Sequence, residues 1–502
     1  MFLAPPRAGE LAQGAKRPVT ERAIAKRLRG EPSAAACLRG LKAGGKRLRG
    51  DPQSARKDRK KFPLEYHLST HSLNFVQSVY GRDGRKFKNL CYTKYKTNGR
   101  CIAGKGGLQM DTAAKGCRGL VLAGGGARGS YQVGVWRALD ELGWTAGAVT
   151  GTSVGCLNGA MYVLGQYETA RDMWLTIRSE DVLDLPDPAA GPRALGEAVR
   201  QIVAEGGLDI SPLEGIVARV LDEDALRASP IKFGLVTVEK RGLRPHELTL
   251  DEIPRGQLAD YLLASAAFYP AMPARTIDGV EYLDGGYSNN MPTGLAARLG
   301  AEELVCVDLE GLGFTKPNRT GLPTTTIRSH WELGEILKFD PAVARRNIEL
   351  GYYDTLRAFG RLRGDAYPVA LPGSAGAAAE FRARFDPLQE AVKARWPAAH
   401  LPAALALALA DWKDEPLAPL EAAAEAAGVD PARLYTVAQL EEAFLAACDG
   451  ERLASFDPLF EQNEKNAGSA ALAARAALLP HLFLQALVRR ALTGPLVPEV
   501  IA

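Results

Sequence analysis

At 502 residues, with 46% hydrophobic and 24% charged side chains, the chain has room for roughly two to four domains and can bury a substantial core. No apolar run approaches the ~18 residues of a membrane span, since the longest, 401–410, is interrupted by Pro402, and the N-terminus lacks the apolar stretch of a secretory signal. The formal net charge of +4 hides an asymmetry: residues 1–109 hold 25 Lys and Arg against 7 Asp and Glu, whereas residues 110–502 hold 37 against 51.

The basic leader, taken as residues 1–118, has weak hydrophobic periodicity. It reads as a solvated low-complexity segment, or as an arm for nucleic acid or anionic lipid. Met110 stands just ahead of the first predicted strand, and Lys105 to Gln109 can be encoded with a ribosome-binding sequence, so Met110 is a candidate true start. The seven cysteines (37, 91, 101, 117, 156, 306 and 448) are scattered and form no Cys-x-x-Cys pair. They suggest neither a disulfide framework nor a zinc site, and a reduced, cytoplasmic setting fits, with contact at a membrane periphery.

From Gly119 the pattern changes. Residues 119–123 form a short apolar run that predicts a buried strand. A glycine loop, Gly124-Gly125-Gly126-Ala127-Arg128-Gly129, follows, and Ser130 is placed as the cap of a helix whose Val135, Leu139 and Leu142 share a face, closed by Gly143. Residues 148–150 predict a second strand, which ends in Gly151-Thr152-Ser153-Val154-Gly155 before a helix through Leu157, Met161 and Leu164. Strand, helix, strand, helix in this order predicts a parallel sheet covered by helices.

Residues 166–228 read as helical, with Ser211 as a cap and Pro212 at the first helical position. Residues 231–238, 247–250 and 304–308 read as strands, 311–325 as a loop, and the chain from about 331 as Ala-rich helix broken by prolines. The division implied is a leader (1–118), a catalytic domain (119–300), a closing strand and helices (301–365) and a helical C-terminal region (366–502). The leucines and arginines of 470–492 suit packing against a core, or alternatively an interfacial helix.

Three segments carry chemistry. The glycine loop permits positive φ and close backbone approach, and its amides at a helix start attract negative charge. Arg128 adds a fixed positive charge or a clamp. The loop also matches the dinucleotide fingerprint, but the next strand ends in Gly-Thr-Ser without the acid that would hold a ribose. Gly151-Thr152-Ser153-Val154-Gly155 has the G-x-S-x-G form, in which a serine on a strand-to-helix turn needs small neighbours such as Gly151 and Gly155. It reads either as a nucleophile elbow or as a helix cap in a tight turn. The third segment, Asp284-Gly285-Gly286, is by itself a plain turn or a carboxylate at a strand end.

A serine hydroxyl needs a base. Of the six histidines (67, 71, 246, 330, 400 and 481), His330 is the best candidate for a Ser-His-Asp triad, since it follows Asp284 in a loop-to-helix region.

Taken together, the glycine loop, Ser153 lying 27 residues after Gly126, and Asp284 a further 131 residues on resemble the patatin-like phospholipase family. Leu208-Asp209-Ile210-Ser211-Pro212-Leu213, Ala264-Ser265-Ala266-Ala267-Phe268-Tyr269-Pro270 and Asp284 to Pro292 are similar to further stretches of that family, over about residues 119–300; 301–360 resembles bacterial members more loosely. The resemblance implies a three-layer α/β fold with a mostly parallel sheet and helices on both faces. It implies a dyad without histidine, in which Ser153 is the nucleophile and Asp284 the general base. The amides of Gly124, Gly125 and Gly126 would form the oxyanion hole, with Arg128, Gly129, Gly151, Gly155, Gly285 and Gly286 in support. The implied reaction is metal-independent and cofactor-free hydrolysis of fatty acyl esters of phospholipids or related lipids through an acyl-enzyme. The implied partner is a lipid or membrane-surface substrate, with no nucleic acid for the core. Tyr287 departs from the small aliphatic residue common after Asp-Gly-Gly, which bears on substrate preference. The non-enzymatic alternative is a degenerate core whose leader binds membrane or nucleic acid.

Overall fold

Short apolar and β-branched runs build one mixed sheet. Its strands are β1 (Cys117–Leu122), β2 (Ala148–Thr152), β3 (Lys232–Glu239), β4 (Arg244–Thr249), β5 (Arg275–Ile277), β6 (Val280–Asp284), β7 (Ala301–Asp308) and β8 (Thr324–Arg328). This computed structural model describes residues 116–182, 207–395, 412, 415–460, 475–476 and 478–494, all within one compact unit; residues 1–115 of the basic leader and the run at 401–410 lie outside the described residues, and residues 117–118, expected to close the leader, open the first strand. The strand order is β5-β6-β3-β2-β1-β7-β8, with β4 also on β3. β1, β2, β3, β7 and β8 pair in parallel, and β4, β5 and β6 join antiparallel.

Both faces of the sheet are covered, as the unbroken apolar strands require. Side chains alternate across a strand. Accordingly Leu120, Leu122, Val305 and Val307 enter a large hydrophobic cluster, while Val121, Ala123, Leu304 and Cys306 enter a smaller one. The large cluster is closed by helices α1 (Ser130–Glu141), α2 (Val154–Val163), α3 (Tyr167–Thr176), α4 (Ser211–Val220), α5 (Glu223–Ala228) and α6 (Leu258–Ser265). The smaller one is closed by α7 (Thr293–Arg298). This is the expected three-layer α/β arrangement.

Helix α8 (Pro341–Ala358) lies against α1 at a glycine crossing. A Cβ on Gly134 would come within 1.8 Å of the Ile348 carbonyl oxygen, and one on Gly351 within 2.1 Å of that of Tyr131. Beyond it come a short hairpin, β9 (Leu362–Arg363) with β10 (Val369–Ala370), and helices α9 (Ser374–Arg395), α10 (Ala418–Ala427), α11 (Val437–Ala447), α12 (Gly450–Ala454) and α13 (Pro480–Thr493). These elements share their own cluster, centred on Phe381, Phe385, Phe444, Phe456 and Phe483.

Several local expectations shift. Ser130 and Ser211 are the first residues of their helices rather than caps; Gly129 and Ile210 hold the cap positions. Ser211 instead donates through its amide and hydroxyl to Asp209, which competes with capping. The 166–228 stretch is broken into α3, α4 and α5, and 183–206 lies outside the described residues. Strand β8 completes the sheet edge, its first two residues, Thr324 and Thr325, falling at the end of the stretch expected to be a loop. In the C-terminal stretch, Phe483, Leu484, Leu487, Val488 and Ala491 of α13 are buried in the phenylalanine-rich cluster. The α13 part of the stripe is therefore a core face and not an interfacial one, while Leu478 is exposed and residues 470–474 and 477 lie outside the described residues.

One strand positions the site. β3 pairs with β2 through residues 232–236 and with β6 through 237–239, while its other edge carries β4. β2 and β6 therefore meet end to end on the same edge. Thr152 is opposite Val236 and Asp284 opposite Thr237, adjacent steps of one ladder. This register brings Ser153, next after Thr152, beside Asp284, 131 positions on in sequence.

Candidate active site

The G-x-S-x-G segment forms a strained turn. Ser153 adopts φ 56° and ψ −131° between β2 and α2, a conformation that L-residues rarely hold and that concentrates at functional sites. The turn is tight enough to forbid side chains beside it. A Cβ on Gly151 would lie 2.4 Å from the Gly155 backbone, and one on Gly155 would lie 2.2 Å from the Leu122 carbonyl oxygen. The Ser153 amide donates to Ser265 Oγ (3.0 Å), and the Ser265 hydroxyl donates to the Val236 carbonyl (2.6 Å). The Thr152 hydroxyl donates to the Asn289 carbonyl (2.9 Å). The elbow is thus fastened to β3, α6 and the segment following Asp284.

Asp284 ends β6 and is 4% exposed. Its Oδ1 accepts from the Gly286 amide (2.7 Å). Burial pushes its carboxyl up to about 6, against the pull of the Ser153 hydroxyl and the Gly286 amide, both of which favour the anion. Gly285 cannot carry a side chain, because a Cβ there would lie 2.2 Å from the Val236 carbonyl oxygen.

The glycine loop leaves the carboxyl end of β1, beside the elbow, since Leu122 pairs with Gly151. Its three leading amides are not equivalent. The Gly124 amide donates to Asn290 Oδ1 (3.1 Å), and Asn290 Nδ2 donates back to the Gly124 carbonyl (3.2 Å). The amides of Gly125 and Gly126 have no acceptor among the described residues. Gly126 has φ 54°, and a Cβ there would strike the Ile336 carbonyl oxygen at 2.2 Å. Arg128 is a clamp: its guanidinium donates to the carbonyls of Gly334 (2.8 Å), Leu309 (3.2 Å) and Glu310 (2.7 Å). A buried amide pair holds the loop ends, with Gln132 donating to the Ala123 carbonyl (2.8 Å) and Asn158 donating to the Gly129 carbonyl (3.0 Å) and to Gln132 (2.8 Å).

Ser153, Asp284, Asn290 and Gly124 to Gly126 all border one cavity of about 1080 Å³, open mouth included. Beyond these polar groups and Asn158 its walls are apolar, including Met161 from α2, Trp174 from α3, Val217 from α4, Leu262 from α6, and Leu337. A deep apolar pocket with a few convergent polar groups is the usual form of a binding site for a largely apolar ligand.

No histidine among the described residues lines this cavity. His330 bonds instead to Glu425 of α10 (3.1 Å) and stacks edge-on against Trp331. That carboxylate raises the imidazole against the opposing effect of burial. This removes the His330 triad alternative, because the loop before α8 turns the ring toward the C-terminal helices. Tyr287 does not line the cavity either; its hydroxyl donates to the Tyr269 carbonyl, so it braces the turn and does not shape the pocket. Among the described residues Cys117, Cys156, Cys306 and Cys448 are free thiols.

Sequence reasoning assigned no role to Ser265, Asn290, Gln132 or Asn158. A signal exists for the last two: each is a lone amide among apolar neighbours on a helix, and each is buried. Asn290 carries only the weaker signal of standing six residues after Asp284.

Residues 120–297 match the family model of patatin-like phospholipase. Patatin-like phospholipase domain-containing protein 7 of Mus musculus is 27% identical over 201 residues, 38% of this chain and 13% of that protein. Patatin-like phospholipase domain-containing protein 6 of Homo sapiens is 29% identical over 201 residues, again 38% and 13%. Lysophospholipase nte1 of Aspergillus terreus is 29% identical over 215 residues, 40% of this chain and 12% of that protein. The alignments thus span about an eighth of the length of these curated relatives. The glycine loop, the serine elbow and the Asp-Gly-Gly turn all fall inside residues 120–297, the segment that is similar to patatin-like phospholipases.

Proposed function

We propose that this chain hydrolyses fatty acyl esters of phospholipids or lysophospholipids, with Ser153 as nucleophile and Asp284 as its general base. The observation that carries the reading is the convergence of four things on one cavity: a strained serine, a buried carboxylate with raised basicity, two amides without acceptors, and apolar walls. The names of the relatives, phospholipase and lysophospholipase, support the lipid class.

The chemistry follows from the groups present. An ordinary aspartate, with a pKa of ~3.9, is a poor base toward a hydroxyl. Burial raises Asp284 toward neutrality, so it can take the Ser153 proton as Oγ attacks the ester carbonyl. The negative charge that develops on the carbonyl oxygen is stabilised by the Gly125 and Gly126 amides, each donor of this kind being worth ~3 kcal/mol in a hydrolase. The Gly124 amide is committed to Asn290 and serves by fixing the loop. Collapse expels the alcohol, which receives the proton from Asp284, and leaves an acyl-enzyme. The same carboxylate then activates water to release the fatty acid. The acyl chain lies along the hydrocarbon wall throughout.

The test is hydrolysis of lysophosphatidylcholine and of a soluble p-nitrophenyl acyl ester. Activity lost in Ser153→Ala and in Asp284→Asn, but kept in His330→Ala, is the expected result. A folded but inactive His330→Ala protein would contradict it.

A further inference from the structure

At the rim of the cavity, the loop between β7 and β8 presents large apolar side chains to water. Leu312 is 65% exposed and Phe314 is 70% exposed, and every residue from 312 to 319 is exposed. Isolated exposed apolar residues are ordinary; two of the six large ones among the described residues, on one short loop beside the cavity, are not. Leu312 also lines the cavity itself.

The backbone of this loop is anchored to the catalytic elements. The Phe314 amide donates to the Gly286 carbonyl (2.8 Å), and the Phe314 carbonyl accepts from the Asn290 amide (2.6 Å). Gly311 sits against Gly124 so closely that a Cβ would lie 2.2 Å from its carbonyl oxygen, and one on Gly313 would lie 2.7 Å from that of Gly286. The side chains project from a segment bolted to both the glycine loop and the Asp284 turn. One exposed cation stands beside the cavity: Lys338, between the cavity-lining Leu337 and Phe339. Lys338 has no ion-pair partner among the described residues, although the exposed Glu335 lies three residues before it.

We infer that the 312–314 segment of this loop is an interfacial wedge: Leu312 and Phe314 enter the apolar layer of a lipid surface while Lys338 meets its phosphates. This rests on the lipid-hydrolase reading for its occupant. A cavity meant for an acyl chain must receive it from an aggregate, because long-chain lipids are scarce as monomers. A wedge fixed to the glycine loop and to Asp284 holds the mouth flush with that aggregate, so the chain passes from bilayer to pocket without crossing water. Aromatic and aliphatic side chains beside cations are the composition that binds such interfaces.

Vesicle flotation tests the wedge, using the full chain carrying Ser153→Ala so that no lipid is consumed, with vesicles of phosphatidylcholine and phosphatidylglycerol. Adding Phe314→Ser is expected to weaken binding about tenfold or more, the effect of withdrawing one phenyl ring from a lipid phase. Phe314→Trp is expected to keep binding and to give a blue-shifted emission on adding vesicles. With Ser153 intact, Phe314→Ser is expected to leave hydrolysis of the soluble p-nitrophenyl ester unchanged, since the phenyl ring does not line the cavity. Vesicle binding by Phe314→Ser equal to that of the unaltered loop overturns the wedge, as does a change in sedimentation showing that the ring joins two copies of the chain. If the soluble ester is never hydrolysed, the dyad reading fails instead, whatever the flotation shows.

Discussion

Asp284 and Glu421 are both buried carboxylates, 4% and 3% exposed, and burial raises both above the usual carboxylate range. Their surroundings differ. Glu421, in α10, accepts three backbone amides through one oxygen, from Asp365 (2.9 Å), Ala366 (3.1 Å) and Tyr367 (2.9 Å), and so holds the turn between β9 and β10. Asp284 accepts one backbone amide, from Gly286, and otherwise faces Ser153 and a cavity. The first carboxylate is tied by three amides into a turn and is structural. The second keeps acceptor capacity at the edge of a void, where a proton can be received. Burial alone does not mark a catalytic base; burial with free acceptor capacity beside a strained serine is what supports the role proposed for Asp284.

The contrast can be broken most forcefully at Ser153 and Asp284. Ser153→Ala and Asp284→Asn are each expected to lower kcat for the soluble ester by about four orders of magnitude or more. Asp284→Asn should at the same time be the more stable protein. Its carboxyl rises from 3.8 to about 6 on folding, which corresponds to about 3 kcal/mol of unfavourable burial at pH 8. That handicap is absent below about pH 4 and develops as pH rises through about 6, so the variant's advantage in urea unfolding should shrink in acid. An inactive variant that is also less stable at pH 8 would place Asp284 in a structural role.

Asn290 ties the glycine loop to the Asp284 segment through two hydrogen bonds. Asn290→Ala is expected to reduce kcat by about a hundredfold with little change in KM, because misaligned oxyanion donors act on the transition state. A change confined to KM would make Asn290 a binding residue only.

The pH profile sharpens the same point. With Asp284 as base, kcat/KM for the soluble ester should be flat above about pH 7 and fall about tenfold per unit below about 6. A profile flat down to pH 4.5 would exclude a base of raised pKa.

Glu421 should show the opposite pattern. Glu421→Ala leaves three amides without their acceptor and is expected to cost about 3 kcal/mol of stability, while Glu421→Gln, which keeps an acceptor, costs less. Neither should alter kcat for the soluble ester. Loss of activity in folded Glu421→Gln would couple the helical region to the site.

Much of this was legible in the sequence because it depended on local rules. The apolar runs at β1, β2 and β7, the glycine after α1 and the small residues around Ser153 each obey short-range sterics or periodicity. The meeting of Ser153 with Asp284 was not legible from spacing alone; it depends on β3 handing its edge from β2 to β6 at Val236 and Thr237. The occupation of the Gly124 amide by Asn290 and the burial of the α13 leucines are likewise long-range facts. His330 looked suitable as a base in chain order, and only tertiary packing turned it toward Glu425.

The central claim is that Ser153 is activated by Asp284 and by no histidine. Labelling with a fluorophosphonate, followed by mass spectrometry of the digested chain, tests it directly. The account predicts one adduct, on the peptide containing Ser153, formed at an undiminished rate in His330→Ala and at least about a hundredfold more slowly in Asp284→Asn. An adduct on another serine, or labelling of Ser153 that survives Asp284→Asn and disappears with His330→Ala, would contradict it.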